Sequence, residues 1–125
     1  MIFFRSKRVD HFKKEIDKRT EAALKEWVAN GRHLLEMTPQ QAAEELHLSQ
    51  EQLAYYFRMH KKSAFRVWRK VQRIKAACEL MKERTDLPFS TVGEYVGIPD
   101  KSNFRRAFYE VCGMYPADWK KRHCR

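Results

Sequence analysis

The sequence is poor in the residues that interrupt helices or bridge chains, with 4 Gly, 4 Pro and 3 Cys in 125 residues. Scarce Gly and Pro beside 8 Phe, 5 Tyr and 3 Trp exclude collagen-like and low-complexity chains, and there is enough apolar area to rule out wholesale disorder. Cys78, Cys112 and Cys124 are an odd set at spacings of 34 and 12, which fits neither a disulfide framework nor a metal-ligand pattern. They are expected to be ordinary reduced thiols. His11, His33, His47, His60 and His123 show no HxxxH pairing and there is no CxxC, so no metal site is expected. No apolar run exceeds five residues, whereas a bilayer-spanning helix needs about 20, and no apolar block follows the basic start as in a signal peptide. A cytoplasmic protein with no membrane partner is the expectation. A Gly-rich phosphate loop, a nucleophile elbow and a credible carboxylate pair are also missing, so neither catalysis nor a cofactor is expected.

Positive charge is what the chain has in excess: 26 Lys and Arg against 16 Asp and Glu, a net +10. Its distribution is uneven. Residues 36–56 carry four acids and no Lys or Arg, and 57–84 carry ten bases against two acids. Residues 85–100 then hold three acids and no base, and 101–125 seven bases against two acids. A basic surplus confined to the second part of each block suggests two separate footprints for a polyanion, against the plainer reading of a solvated charged face.

Helical punctuation covers most of the chain. Over residues 9–30, Val9, Phe12, Ile16, Ala23, Leu24, Trp27 and Val28 fall at three- and four-residue steps, predicting an amphipathic helix with room for a kink and with Gly31 placed to end it. Thr38, Pro39 and Gln41 supply a capping hydroxyl, a proline at the first helical position and a capping-box partner. Ser49 with Gln52 repeats the box a few residues later, opening a helix with Leu53, Tyr56 and Phe57 inward. Two capped helices so closely spaced are a helix-turn-helix. A basic helix over 64–82 follows, with a stripe of Val67, Val71, Ile74, Cys78 and Met81 expected to be buried. Asp86, Pro88 and Ser90 then break and recap the chain, a short helix covers 91–96, Gly97 turns, and a last helix over 100–111 puts Phe104 and Phe108 inward. The pairs Ala43 and Gly93, His47 and Gly97, Leu53 and Phe104, and Phe57 and Phe108 are offset by 50, 50, 51 and 51. The unit therefore recurs with one inserted residue. Small residues at 43 and 93 suit a close crossing of the two helices of each motif. Trp27, Trp68 and Trp119 are expected to pack helices.

From residue 38 to 122 the chain resembles the C-terminal DNA-binding domain of AraC/XylS transcription regulators, in which two helix-turn-helix motifs are joined by one linker helix. The most specific stretches are WRKVQRIKAACELM (68–81) and VGIPDKSNFRRAFYEVCGMYPADWKK (96–121). His47 stands where the family usually has a glycine, so it either takes a positive φ or reshapes the turn. The glycine that normally ends the first reading helix is replaced near Lys62, and Ile98 and Pro99 stand where an aromatic and a polar residue are usual. The implied fold is all-α, with an N-terminal extension over 1–18, a first helix-turn-helix subdomain over 19–63, a linker helix over 64–84 and a second subdomain with a basic tail over 85–125.

By position, the resemblance assigns base reading to Glu51, Ala54 and Tyr55 in the first motif and to Lys101, Ser102, Arg105 and Arg106 in the second. Arg105 and Arg106 suit guanine O6 and N7, and Lys101 a guanine or a phosphate. Glu51 accepts only, so it suits a cytosine amino group or merely repels phosphate. The second motif is therefore expected to carry most of the affinity. Arg58, Lys61 and Lys62 are phosphate candidates. Arg69 and Arg73 either touch phosphate or solubilise the linker, and Lys120, Lys121 and Arg122 are either a phosphate clamp or a frayed tail. Double-stranded DNA is the partner implied, with RNA polymerase a second, as for the many relatives that are activators. Only 37 residues precede Thr38, too few for the sensing domain that relatives carry, so no small-molecule effector is expected. Arg5, Lys7 and Arg8 beside Ile2, Phe3 and Phe4 read as a basic arm or a stub. The competing function is a helical protein-interaction module that uses the stripe from Val9 to Trp27.

Overall fold

The computed structural model describes residues 7–124, with side chains at 11 and from 13 onward. The expected arm at Ile2, Phe3, Phe4 and Arg5, and the side chains of Lys7, Arg8, Val9 and Phe12, lie outside the described residues, as does Arg125. Seven α-helices form the fold: α1 (Lys7–Ala29), α2 (Pro39–Glu45), α3 (Gln50–His60), α4 (Phe65–Glu83), α5 (Phe89–Tyr95), α6 (Lys101–Cys112) and α7 (Pro116–His123). A 3-10 turn at Arg32–Leu34 joins α1 to α2, and there is no strand among the described residues. The architecture is the all-α one expected, with α2–α3 and α5–α6 as the two helix-turn-helix pairs and α4 between them.

Helix boundaries fall where side chains satisfy backbone groups. Thr38 Oγ1 accepts from the Gln41 amide at 3.1 Å while Gln41 Oε1 accepts from the Thr38 amide at 2.8 Å. Ser49 and Gln52 repeat this at 3.1 and 2.8 Å. Asp100 caps α6 by accepting from the Asn103 amide at 2.8 Å. Each cap is worth about 1 kcal/mol. The second motif departs from expectation at its start: α5 begins at Phe89 after Pro88, without a side-chain cap, and Ser90 lies inside the helix.

α1 is a single 23-residue α-helix that runs on through residues 18 and 19. Ile16, expected in its buried stripe, is 40% exposed, and the line that packs inward is Thr20, Leu24 and Trp27. Thr20 fits because its hydroxyl donates to the Ile16 carbonyl at 2.9 Å, a bond one turn back that removes the penalty of burying it.

The apolar side chains form two cores. In the first, Trp27, Phe57 and Phe65 meet with ring centroids 5.3 to 5.8 Å apart. In the second, Ile74, Met81, Val92, Val96 and Phe108 are fully buried, and Trp119 packs edge-on to Phe108 at 5.9 Å. α4 serves both. The stripe expected on it is buried only at Ile74 and Met81, whereas Val67 is 39% exposed and Val71 and Cys78 are half-buried. The reason is that Phe65 and Trp68 face the first core and Ile74, Ala77 and Met81 the second. At about 100° per residue these groups sit on roughly opposite faces of the rod, so one continuous stripe does not describe it.

The repeat also appears in the turns. His47 (φ 60°) and Gly97 (φ 83°) hold the same left-handed position in the two motifs, and Lys62 (φ 52°) and Gly113 (φ 74°) do so after the reading helices. The small residue at the crossing is required at Gly93, where a Cβ would lie 2.7 Å from the Ile98 carbonyl oxygen and 3.3 Å from Phe104 Cγ. Gly93→Ala should therefore destabilise the protein by about 1–3 kcal/mol, seen as a lowered thermal midpoint. An unchanged midpoint would show that the two helices part without cost.

Candidate nucleic-acid interface

The inward residues of the two reading helices leave one outward face on each. On α3, Leu53, Tyr56 and Phe57 are buried, and Glu51, Ala54 and Tyr55 point out, Tyr55 with 41% of its surface exposed. On α6, Phe104, Ala107 and Phe108 are buried, and Lys101, Ser102, Arg105 and Arg106 are all exposed. A shallow hollow of about 430 Å³ flanks α6 beside Lys101, Phe104, Arg105, Tyr115 and Pro116. Its counterpart of about 620 Å³ flanks α3 beside Gln50, Leu53, Ala54, Ala64 and Phe65. These two sets correspond one to one at an offset of 51, so the folded surfaces around both reading helices repeat along with the sequence.

Residues 42–122 match the family model described as a helix-turn-helix domain. The chain belongs to the AraC-type helix-turn-helix family. It is 33% identical over 78 residues to the arabinose operon regulatory proteins of Salmonella typhimurium LT2 and Escherichia coli K12. That alignment covers 62% of this chain and about a quarter, 27% and 26%, of those proteins. In fold it is similar to the C-terminal domain of AraT, a response regulator from Geobacillus stearothermophilus, with a TM-score of 0.73 at 21% identity over 86% of this chain and 87% of that one. A Listeria innocua protein of unknown function has the same fold at a TM-score of 0.61 and 20% identity, over 70% and 83% of the two chains. AraC-type domains bind double-stranded DNA and are not an enzyme family. Among the described residues, no helix is long and apolar enough to cross a membrane, and no group of three or more His, Cys, Asp or Glu is placed to hold a metal ion.

The outward faces of α3 and α6 carry different chemistry. On α6, the Arg105 guanidinium lies 4.2 Å from the Tyr115 ring centroid, a cation–π contact that restricts its rotamers. Arg106 stands beside the Lys70–Glu110 ion pair (2.5 Å), whose lysine, more than Arg106, holds the Glu110 carboxyl below its ordinary range. On α3, Glu51 is the acid of the first turn, where it also complements the positive end of the helix dipole. Tyr55 takes a hydrogen bond from Lys13 of α1 at 3.2 Å, and Arg58 lies 5.8 Å from its ring centroid.

Several of the expected phosphate contacts have internal partners. Lys61 pairs with Glu21 of α1 at 3.1 Å, and Glu21 also accepts from the Tyr56 hydroxyl, which is the main cause of its lowered pKa. Lys120 donates to the Thr85 carbonyl at 2.6 Å. Arg58, Lys62, Lys121 and Arg122 are exposed. Arg69 and Arg73 have internal partners too. Arg69 donates to the carbonyls of His33 (3.1 Å), Met37 (3.2 Å) and Leu35, and Arg73 to those of His33 (2.8 Å) and Leu35 (3.0 Å). Burial lowers both, Arg69 to about 10 with the neighbouring Arg73 contributing, and both remain cations at neutral pH. They are a strut from the linker helix to the segment before α2. That role has no local signature, because the carbonyls lie 32 to 40 residues away in sequence.

The strut closes around His33, which is buried with Nδ1 unpartnered and is held neutral by desolvation and by Arg73 and Arg69. Nearby, Glu45 accepts from Trp27 Nε1 at 2.9 Å and from Arg32 through Nε at 3.0 Å and Nη2 at 2.6 Å. The Arg32 bonds, then the Trp27 bond, lower the Glu45 carboxyl to about 2. In the second subdomain, the Cys78 and Cys112 sulfurs are 3.8 Å apart and free. Burial pushes Cys78 up to about 12 and raises Cys112, so neither is an activated nucleophile.

A carboxyl lowered on folding stabilises the protein above its unfolded value, ordinarily about 4.3, and that contribution fades as the pH falls toward its folded value of about 2. Thermal midpoints measured from pH 5 to pH 2 should therefore fall through this window, and Glu45→Gln should flatten part of the fall. A variant curve parallel to wild type throughout would remove Glu45 from the acid response.

Proposed function

We propose that this chain is the DNA-reading part of a transcription regulator, with α3 and α6 entering successive major grooves on one face of a duplex. The observation that carries this reading is the outward face of α6: Lys101, Ser102, Arg105 and Arg106 are all exposed while the opposite face is sealed in a core. Two guanidiniums on neighbouring residues offer the planar forks that suit guanine O6 and N7, and Lys101 adds a cation in the first turn. Linker length supports it. α4 has 19 residues, roughly 28 Å at 1.5 Å per residue and comparable with the ~34 Å between major grooves on one face of the duplex. Arg58, Lys62, Lys121 and Arg122 are then the phosphate contacts that set register. By analogy with relatives named as operon regulators, the output is control of transcription, with activation through RNA polymerase as its form.

Selection from a random duplex pool should return two unlike half-boxes about ten base pairs apart. Affinity for the selected site should drop by roughly three decades between 50 and 200 mM salt if about six phosphates are contacted, because counterions are released. No enriched site, or binding to a protein partner that ignores salt, would instead identify a helical interaction module. Within the recovered site, Arg106→Ala should cost about 1–3 kcal/mol at one base pair and relax the preference there. A loss shared equally by all duplexes would make Arg106 a phosphate contact.

A further inference from the structure

The residues that distinguish α3 as a reader, Glu51 and Tyr55, are weak candidates taken alone: one carboxylate and one phenol whose hydroxyl can either donate or accept. The structure biases the phenol toward donation, because one of its acceptor sites is taken. Lys13 Nζ lies 3.2 Å from Tyr55 Oη and 5.3 Å from the ring centroid. A lysine ammonium has three donors and no acceptor, so in this bond the tyrosine oxygen accepts and its own proton is left for another partner. Tyr55 is 41% exposed on the outward face of α3, and Glu51, one turn earlier, shares that face.

Resting on the DNA-reading role proposed above, we infer that Lys13 is a positioning residue for the first motif: it fixes Tyr55 as a hydrogen-bond donor, so that α3 selects a base edge presenting an acceptor. The ammonium also lies against the ring together with the Arg58 guanidinium, 5.8 Å from the centroid. In the major groove, guanine N7 and O6, adenine N7 and thymine O4 meet such a donor, and the edge of cytosine presents only an amino group. Glu51, which only accepts, has the reverse preference. The first half-site thus pairs an amino-bearing base with a neighbouring base that is not cytosine. Lys13 lies on the part of α1 that precedes residues 42–122, the stretch matched by the family model, so this setting of the reading face comes from outside the matched domain.

The test titrates wild type, Lys13→Met, Lys13→Arg, Tyr55→Phe and the Lys13→Met/Tyr55→Phe double variant against duplexes carrying each base pair at every position of the selected site. Tyr55→Phe should reduce discrimination against cytosine at one position by roughly three- to tenfold, the value of a single hydrogen bond. Lys13→Met should weaken the same preference at the same position, the double variant should do no more than Tyr55→Phe, and Lys13→Arg, which keeps a donor, should retain it. Thermal midpoints taken alongside separate this from misfolding, which base preference at one position does not report. The inference fails if Lys13→Met lowers affinity for all duplexes alike, alters a different position from Tyr55→Phe, or changes nothing. If wild type selects no duplex, the DNA-reading role itself fails; if it selects a clear site that Lys13→Met and wild type read identically, only the part given to Lys13 does.

Discussion

Two hydrophobic cores hang on one helix. α4 gives Phe65 and Trp68 to the first core and Ile74, Ala77 and Met81 to the second, on roughly opposite sides of a rod of about five turns. A shared helix by itself fixes distance but leaves the chain before α2 loose. Arg69 and Arg73 supply the missing constraint by gathering the carbonyls of residues 33, 35 and 37. The same segment reaches the second motif, because a Cβ at Gly97 would lie 2.3 Å from the Leu34 carbonyl oxygen and 3.1 Å from Arg73 Nη2. The 3-10 turn is thus wedged between the linker and the turn of the second motif, tying both motifs to the same set of hydrogen bonds.

Internal use of cations changes what a net charge of +10 means. Arg69 and Arg73 serve the strut, Lys61 and Lys70 pair with Glu21 and Glu110, and Lys120 holds the Thr85 carbonyl. Fewer cations are left for a polyanion than the composition implies; exposed ones remain on α6, the end of α3 and the last turn of α7, and also on α1 (Lys14, Lys18, Arg19, Lys25) and α4 (Arg66, Lys75, Lys82). Ion pairs at the surface add little stability, so the value of Lys61–Glu21 lies in directing α1 along α3 rather than in energy.

Most of what is local was legible in the sequence. Both capping boxes, the helix end near Gly31, the repeat and the inward aromatics of α3 and α6 follow from residue types at short spacing. Four features were not. Thr20 is buried because its hydroxyl finds a carbonyl one turn back, a polar residue behaving as an apolar one. Val67 is exposed because α4 changes face midway, which a period of 3.6 applied along its whole length cannot represent. The strut and the Lys13–Tyr55 contact join residues 32 to 42 positions apart, and side-chain charge carries no information about which distant carbonyl or ring it will meet. The outward residues of the candidate interface were readable because burial of their neighbours leaves them no other direction.

The left-handed residues at the turns of the two motifs carry unequal strain. Glycine occupies both positions in the second motif, at 97 and 113, and His47 and Lys62 occupy them in the first. A side chain in that region raises the backbone energy by about 1 kcal/mol or more relative to its relaxed form. The first motif therefore stores conformational tension at both ends of its probe, and the second stores little. Glycine at 47 or 62 would relieve that tension, whereas a side chain at 97 or 113 would introduce it, and at 97 a Cβ would also meet the Leu34 carbonyl oxygen.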